Sequence, residues 1–261
     1  MISPSDQAKG TSSKELLIYY PFIFITFTFI SVVATLYPVE VSLFTHVLFP
    51  ILVMAFLGML TRFGYIKLTS LIGGRSMVIL AALGWGDASI HWVYLVFLQL
   101  NILEAALLDG YRKNYFNAAS GFLLLGSSFY LVLGWTGSYL VIENESYIPW
   151  VLAYTVWNAN FVTLQLSGAY FTHHYLLLLS PLFACLAFFD FSYWLILREA
   201  SLLLGIAILS SFKVKLQHME HQAEFVYWFE KIRSIVQKPR TQTLLFSIVS
   251  LLIFIHLIAV N

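Results

Sequence analysis

The sequence predicts an all-α, polytopic transmembrane bundle of about nine helices, with the N-terminus cytoplasmic and the C-terminus outside. Three observations predict it. Hydrophobic residues make up 60% of the 261-residue chain and charged residues only 10%, against roughly 45–50% and 25% in soluble domains. The apolar residues fall into stretches of about 20, the length a helix needs to cross a bilayer. Lys and Arg are confined to every second connection between those stretches, the pattern of the positive-inside rule. Apolar runs such as 176–179 and 251–255 are unbroken, so they lack the period-two alternation of a transmembrane β-barrel.

In chain order, residues 1–15 form a polar cytoplasmic tail with Lys9 and Lys14. Spans are expected at 16–37, 42–61, 64–84, 89–109, 115–139, 147–166, 168–189 and 191–211, an eight-helix core over 16–211. The first run is too long for a signal peptide and lacks a small-residue cleavage pattern, so it reads as the first span. The connections alternate: Glu40 without a basic residue, then Arg62, Asp87, Arg112 with Lys113, Glu143 with Glu145, an uncharged turn, and Asp190. Residues 212–241 then carry Lys213, Lys215, Lys231, Arg233, Lys238 and Arg240. Within them Phe212, Leu216, Met219, Ala223, Val226, Phe229, Ile232 and Val236 recur at helical spacing, which predicts an amphipathic helix on the cytoplasmic surface. A ninth span, 242–261, ends the chain. Asn144-Glu145-Ser146 is a glycosylation sequon in a predicted outer loop.

Composition also excludes functions. The net charge is +1 and the basic residues follow topology, so no nucleic-acid partner is expected. A single cysteine, Cys185, excludes an internal disulfide framework and a Cys-based zinc cluster. His218 and His221 form His-x-x-His, but seven scattered histidines are too few for a desaturase-like di-iron centre. No P-loop, Gly-x-Ser-x-Gly or His-Glu-x-x-His occurs. Neither metal nor cofactor is expected.

Ionisable residues inside spans are costly and mark candidate sites. Lys67 lies one turn into the third span, with Ser70 on its face; Glu104 lies near the cytoplasmic end of the fourth, with Asn101 on its face. Both charges fall roughly 5–8 Å inside the cytoplasmic boundary, which permits an ion pair, although Lys67 has the reach to snorkel to the interface. Asn117, Tyr154, Trp157, Asn158 and His173 lie at similar depth, and their convergence predicts a polar site in the cytoplasmic half. Each has a plainer role as well: amides join membrane helices, and aromatic residues pack or form interfacial belts. Arg198 and Glu199 lie deeper in the eighth span, and Arg75 follows Gly73-Gly74 in mid-span; its acidic partner is not readable.

Three stretches together resemble an uncharacterised bacterial multi-pass membrane family, a domain of unknown function. They are Gly64-Tyr65-Ile66-Lys67-Leu68-Thr69-Ser70; Asn101-Ile102-Leu103-Glu104-Ala105 with Asp109, Asn117 and Gly121; and Gly134-Trp135 with Gly137, Tyr139, Trp150, Ala153-Tyr154 and Trp157-Asn158. The likeness covers about 60–205, with a weaker echo at Trp194 and Arg198. It implies a helical membrane fold and the same polar positions, and no activity.

The substrate- or ion-binding candidates are therefore Lys67, Ser70, Asn101, Glu104, Asn117, Tyr154, Trp157, Asn158, His173 and Arg198. The expected function is a small-solute or ion transporter or channel in a membrane, the cytoplasmic membrane if the host is bacterial, with Glu104 as the titrating or ion-binding group. The alternatives are a membrane-embedded enzyme acting on a lipid or polyprenyl substrate and a non-catalytic assembly subunit. An open cavity favours the first two; closed packing favours the third.

Overall fold

A computed structural model describes residues 13–57, 62–85, 90–136, 139–143, 146–166, 168–188, 190–212 and 223–260. Lys9, Asp87, Asn144, Glu145 and residues 213–222 of the amphipathic segment lie outside these. The described chain is helical apart from one hairpin. Its helices are α1 (Ser13–Leu36), α2 (Leu43–Leu57), α3 (Arg62–Ala82), α4 (Ile90–Tyr111), α5 (Tyr115–Ser127), α6 (Tyr147–Gln165), α7 (Gly168–Phe188), α8 (Trp194–Ser211), α9 (Ala223–Val236) and α10 (Pro239–Val260). Among the described residues, five segments are long and apolar enough to cross a membrane: Gly64–Ala82, Ile90–Tyr111, Tyr170–Phe188, Phe191–Ser211 and Pro239–Val260.

Local chemistry sets the irregularities. Pro50 lies in the middle of α2 and lacks the N–H an α-helix needs; π-helical turns, Leu43–Leu48 and Val53–Leu57, flank it. After α4 the chain turns through Lys113 at φ 65°, and the Asn114 amide closes on the Asp109 carbonyl at 2.8 Å, a left-handed helix end. Asp190 accepts from the Ser192 amide at 2.8 Å and starts the 3₁₀ turn that leads into α8.

The fifth span expected at 115–139 is corrected. Helix α5 stops at Ser127, and β1 (Leu133–Thr136) pairs antiparallel with β2 (Tyr139–Ile142), Leu133 opposite Ile142 and Thr136 opposite Tyr139. The segment is apolar enough for a span, but Trp135, Thr136, Tyr139, Val141 and Ile142 are β-favouring types, and Gly134 disfavours helix. The hairpin pairs its own backbone, and Glu143 N donates to Val132 O at 2.8 Å. Leu133 on β1, facing α4, and Leu140 and Ile142 on β2, facing α8, can thus be buried without stranding peptide groups.

Helix α8 is the centre of the bundle. Every residue from 194 to 207 is buried, with α1, α3 and α7 packed around it and α4, α5, α6 and α10 forming the adjoining layer. Trp150, Tyr154, Trp157 and Trp194 make an aromatic core, with ring centroids 5.1–5.6 Å from Tyr154. The outer faces are apolar: Phe22, Phe29, Phe56, Leu251 and Phe254 are all exposed. An aqueous monomer would not present so much contiguous apolar surface.

Helix α9 docks rather than hangs free. Phe229 is buried, the Arg233 guanidinium lies 4.8 Å from its ring centroid, and Arg233 donates to the Leu164 carbonyl at 2.9 Å. That carbonyl is one of the last in α6, where no intrahelical donor remains.

Candidate functional site

A cavity opens between α3, α4, α6 and α8. Its polar lining is Ser70, Tyr94, Asn101, Tyr154, Arg198 and Glu199; its apolar walls include Leu71, Phe97, Leu98, Leu195 and Leu202. Its volume is about 30 Å³, enough for more than one water at roughly 10–15 Å³ each. Asn101 lies midway along α4, so the cavity is nearer mid-bundle than the cytoplasmic half that the sequence suggested.

Proline places Arg198. Pro181 in α7 has no N–H for the carbonyl four residues earlier, that of Leu177. Arg198 Nη1 and Ser201 Oγ each donate to that freed carbonyl at 3.1 Å. The guanidinium is thereby held beside Tyr154 at 4% exposure, with its Nε buried and unpartnered. Gly205 permits the approach, because a Cβ there would overlap the Leu177 side chain.

On the next residue, Glu199 faces α3. Its carboxylate meets Arg75 Nη2 at 2.5 Å, with side-chain exposures of 9% and 0%. The contact falls on Oε2, and Glu199 Oε1 has no hydrogen-bond donor. Arg75 also donates to Ile196 O at 3.1 Å and to Ser42 Oγ at 3.5 Å. Asn101 donates to Ser70 Oγ at 3.1 Å and to Phe97 O at 2.9 Å, leaving its Oδ1 buried without a partner. Lys67 and Glu104 lie close enough for each to feel the other's charge, and Lys67 also feels Arg198. Glu104 Oε1 is buried without a hydrogen bond.

A second cluster joins α4, α5, α6 and α10. Fully buried Asp109 accepts from Asn114 at 3.2 Å, Asn117 at 2.6 Å and Gln165 at 2.5 Å. Asn117 Oδ1 accepts from Asn160 at 2.8 Å, and its backbone carbonyl accepts from Trp157 Nε1 at 3.1 Å. Asn160 and Gln242 exchange both amide bonds, at 3.2 and 2.9 Å. Apart from Gln165 Oε1, the buried side-chain polar atoms of this network have partners.

The sequence candidates therefore separate. Ser70, Asn101, Tyr154 and Arg198 line the cavity, with Lys67 and Glu104 coupled to each other. Asn117 and Trp157 belong to the second cluster. Asn158 donates to Tyr154 Oη at 3.4 Å, beneath the cavity wall. His173 packs edge-on against Tyr20, ring centroids 5.5 Å apart, away from the cavity lining. Among the described residues, no three His, Cys, Asp or Glu side chains group closely enough to hold a metal.

Comparison with known proteins adds no assignment: no family model matches the chain, and no curated protein or solved structure gives a significant match.

Sequence reasoning did not include Glu199, Asp109, Asn160, Gln165 or Gln242 among the candidates. Glu199 had a signal, a second ionisable residue next to Arg198 in an apolar run. Asn160 also had one, three residues after Trp157 and so on its face. Gln165 and Gln242 stand at helix ends, where an amide carries little information.

Proposed function

We propose that this chain is an integral, multi-pass membrane protein that binds a small solute or ion in the mid-bundle cavity and moves it across the bilayer. The observation that carries this is the unfinished pairing of the cavity. Asn101 Oδ1, Arg198 Nε and Glu199 Oε1 are buried and lack hydrogen-bond partners around the same small space. Each such group costs about 1–3 kcal/mol when left unmade. A cluster that merely joined helices would resemble the Asp109 network, whose groups pair with one another. The topology that fits this reading is nine crossings with a cytoplasmic N-terminus, the fifth made by the short α5 together with the hairpin at its outer end. Ser70, Asn101 and Tyr154, three of the residues in the motifs singled out in the sequence, fall on the cavity.

The direct test is ion and proton flux in proteoliposomes, comparing wild type with Glu104→Gln and Arg198→Gln. Flux above empty liposomes that is lost in Arg198→Gln supports transport through the cavity. Loss in Glu104→Gln as well makes Glu104 part of the path. No flux under any common cation, anion or proton gradient would sink the transport reading. Topology is checked in a Cys185→Ala background, where Lys113→Cys and Glu143→Cys should label with an impermeant thiol reagent from opposite sides.

A further inference from the structure

We propose that the cavity's ligand is a small carboxylate that also carries its own O–H or N–H donor, of the short hydroxy- or amino-acid type, with Arg198 holding the carboxylate. This rests on the reading of the cavity as a binding site and names what it binds.

Charge is the first observation. Three cations, Lys67, Arg75 and Arg198, share this region with two carboxylates, Glu104 and Glu199. Arg75 and Glu199 are in ionic contact at 2.5 Å, and Lys67 is coupled to Glu104. Arg198 has no such carboxylate: among the described residues, no acidic oxygen lies within 4.0 Å of it, and its guanidinium donates to the Leu177 carbonyl and lies against Tyr154, neither of them a carboxylate. A guanidinium at 4% exposure inside an apolar bundle is costly without a counter-charge. Its planar fork matches a carboxylate better than it matches a spherical ion.

Unmade acceptors are the second observation. Asn101 Oδ1 and Glu199 Oε1 line the same cavity, both residues are more than nine-tenths buried, and both atoms lack donors. A simple anion would answer Arg198 and leave these acceptors unpaired. A carboxylate with an ammonium on the neighbouring carbon answers Arg198 and both acceptors, and one with a hydroxyl, which has a single proton to donate, answers Arg198 and one of them. Sites built around such hydrogen bonds reject analogues that lack the group, because the protein's own buried atoms are then stranded.

Size and depth narrow the class. The cavity is small, with room for about two or three waters and walled by Leu71, Phe97, Leu98 and Leu202, which limits the ligand to a few heavy atoms and favours a two-carbon skeleton. Arg198 lies seven residues beyond Phe191, where its span begins, roughly 10 Å along the helix. That depth places it beyond a lipid headgroup phosphate.

The test is equilibrium binding of glycolate, glycine, acetate and chloride, as sodium or free compounds, to the full-length protein in detergent by isothermal titration calorimetry. Glycolate and glycine are expected to bind, with acetate and chloride at least about tenfold weaker, the equivalent of one buried hydrogen bond. Arg198→Gln should abolish binding. Because that variant can fail to fold, Asn101→Leu is the second arm, and it should erase the preference for glycolate over acetate. Equal binding of acetate and glycolate, a preference kept in Asn101→Leu, or no binding of any probe would overturn the proposal. Uptake separates the two readings. Glycolate binding without uptake into proteoliposomes retires transport and keeps the ligand class; ion flux without glycolate binding does the reverse.

Discussion

Neutralising Glu199 is the sharpest single perturbation of this bundle. The Glu199 carboxylate lies 2.5 Å from Arg75 Nη2, at exposures of 9% and 0%. At an effective dielectric constant of about 20 that contact is worth roughly 6–7 kcal/mol of gross attraction, most of it offset by desolvation. Removing one member of such a pair costs about 3–5 kcal/mol, because the other charge is left buried. Glu199→Gln should fall in that range. Arg75 would keep Ile196 O and Ser42 Oγ, two neutral acceptors that do not balance its charge. Replacing both residues, Arg75→Met with Glu199→Leu, removes both charges and should recover most of the loss. The assay is reversible unfolding in mixed detergent micelles with a double-mutant cycle. A coupling energy of at least about 2 kcal/mol is expected. Additivity of the two single losses within about 0.5 kcal/mol would show that the pair does not act as a unit and refute the reasoning.

Three further outcomes follow from the second cluster and its helix contacts, each read by the same unfolding assay. Asp109→Asn puts an amide where three side-chain amides now donate at 2.5–3.2 Å, and about 3 kcal/mol or more should be lost; a loss under 1 kcal/mol would mean the network does not hold α4, α5 and α6 together. Gly121→Ala places a Cβ 2.7 Å from that of Ala106 and 3.1 Å from Trp157 Nε1. Neither neighbour is the end of a flexible chain, so α4 and α5 must part, at a cost of about 1–3 kcal/mol. Trp157→Phe removes the 3.1 Å bond to the Asn117 carbonyl and should cost about 1–3 kcal/mol, since a buried acceptor is left unpaired.

Much of the helical framework was legible because apolar length is a one-dimensional property: α3, α4, α7, α8 and α10 lie where 20-residue runs demanded them. The failure at 115–139 has a physical cause. A hydropathy window counts Leu131, Leu133, Val141 and Ile142 as span residues, but what separates hairpin from helix there is pairing across a turn, a relation between positions. The cavity was legible as residue types: Ser70, Asn101, Tyr154 and Arg198 each stood out as polar in an apolar run. Their separation from Asn117 and Trp157 was not, because depth estimated from span ends places residues along the bundle axis and says nothing about which layer a helix occupies. Arg75 is the clearest case. A buried partner was required on energetic grounds, yet only the packing of α3 on α8 selects Glu199 over Glu104.

Pro181 makes the tie between helix chemistry and the cavity open to experiment. A backbone carbonyl has two lone pairs, and both on Leu177 O are taken, by Arg198 Nη1 and Ser201 Oγ at 3.1 Å each. Pro181→Ala restores the N–H that a regular helix would direct at this same oxygen. Three donors then compete for two positions, and the Ser201 hydroxyl, even with its one proton turned to Arg198 O at 3.1 Å, still crowds the oxygen that the guanidinium must reach. Arg198 should lose its anchor and the cavity its fixed cation, so probe binding should weaken several-fold even though the helix itself gains a hydrogen bond. Ser201→Ala in the same chain removes one competitor. The Pro181→Ala, Ser201→Ala double variant should therefore bind more tightly than Pro181→Ala alone. Had Pro181 acted only by kinking α7, removing a hydroxyl from α8 would restore nothing, and the two changes would add. Titration of glycolate against wild type, both single variants and the double variant distinguishes rescue from addition. Rescue places the cause at the Leu177 carbonyl, whereas addition would show that the proline acts on helix shape and that Arg198 is held by its other surroundings.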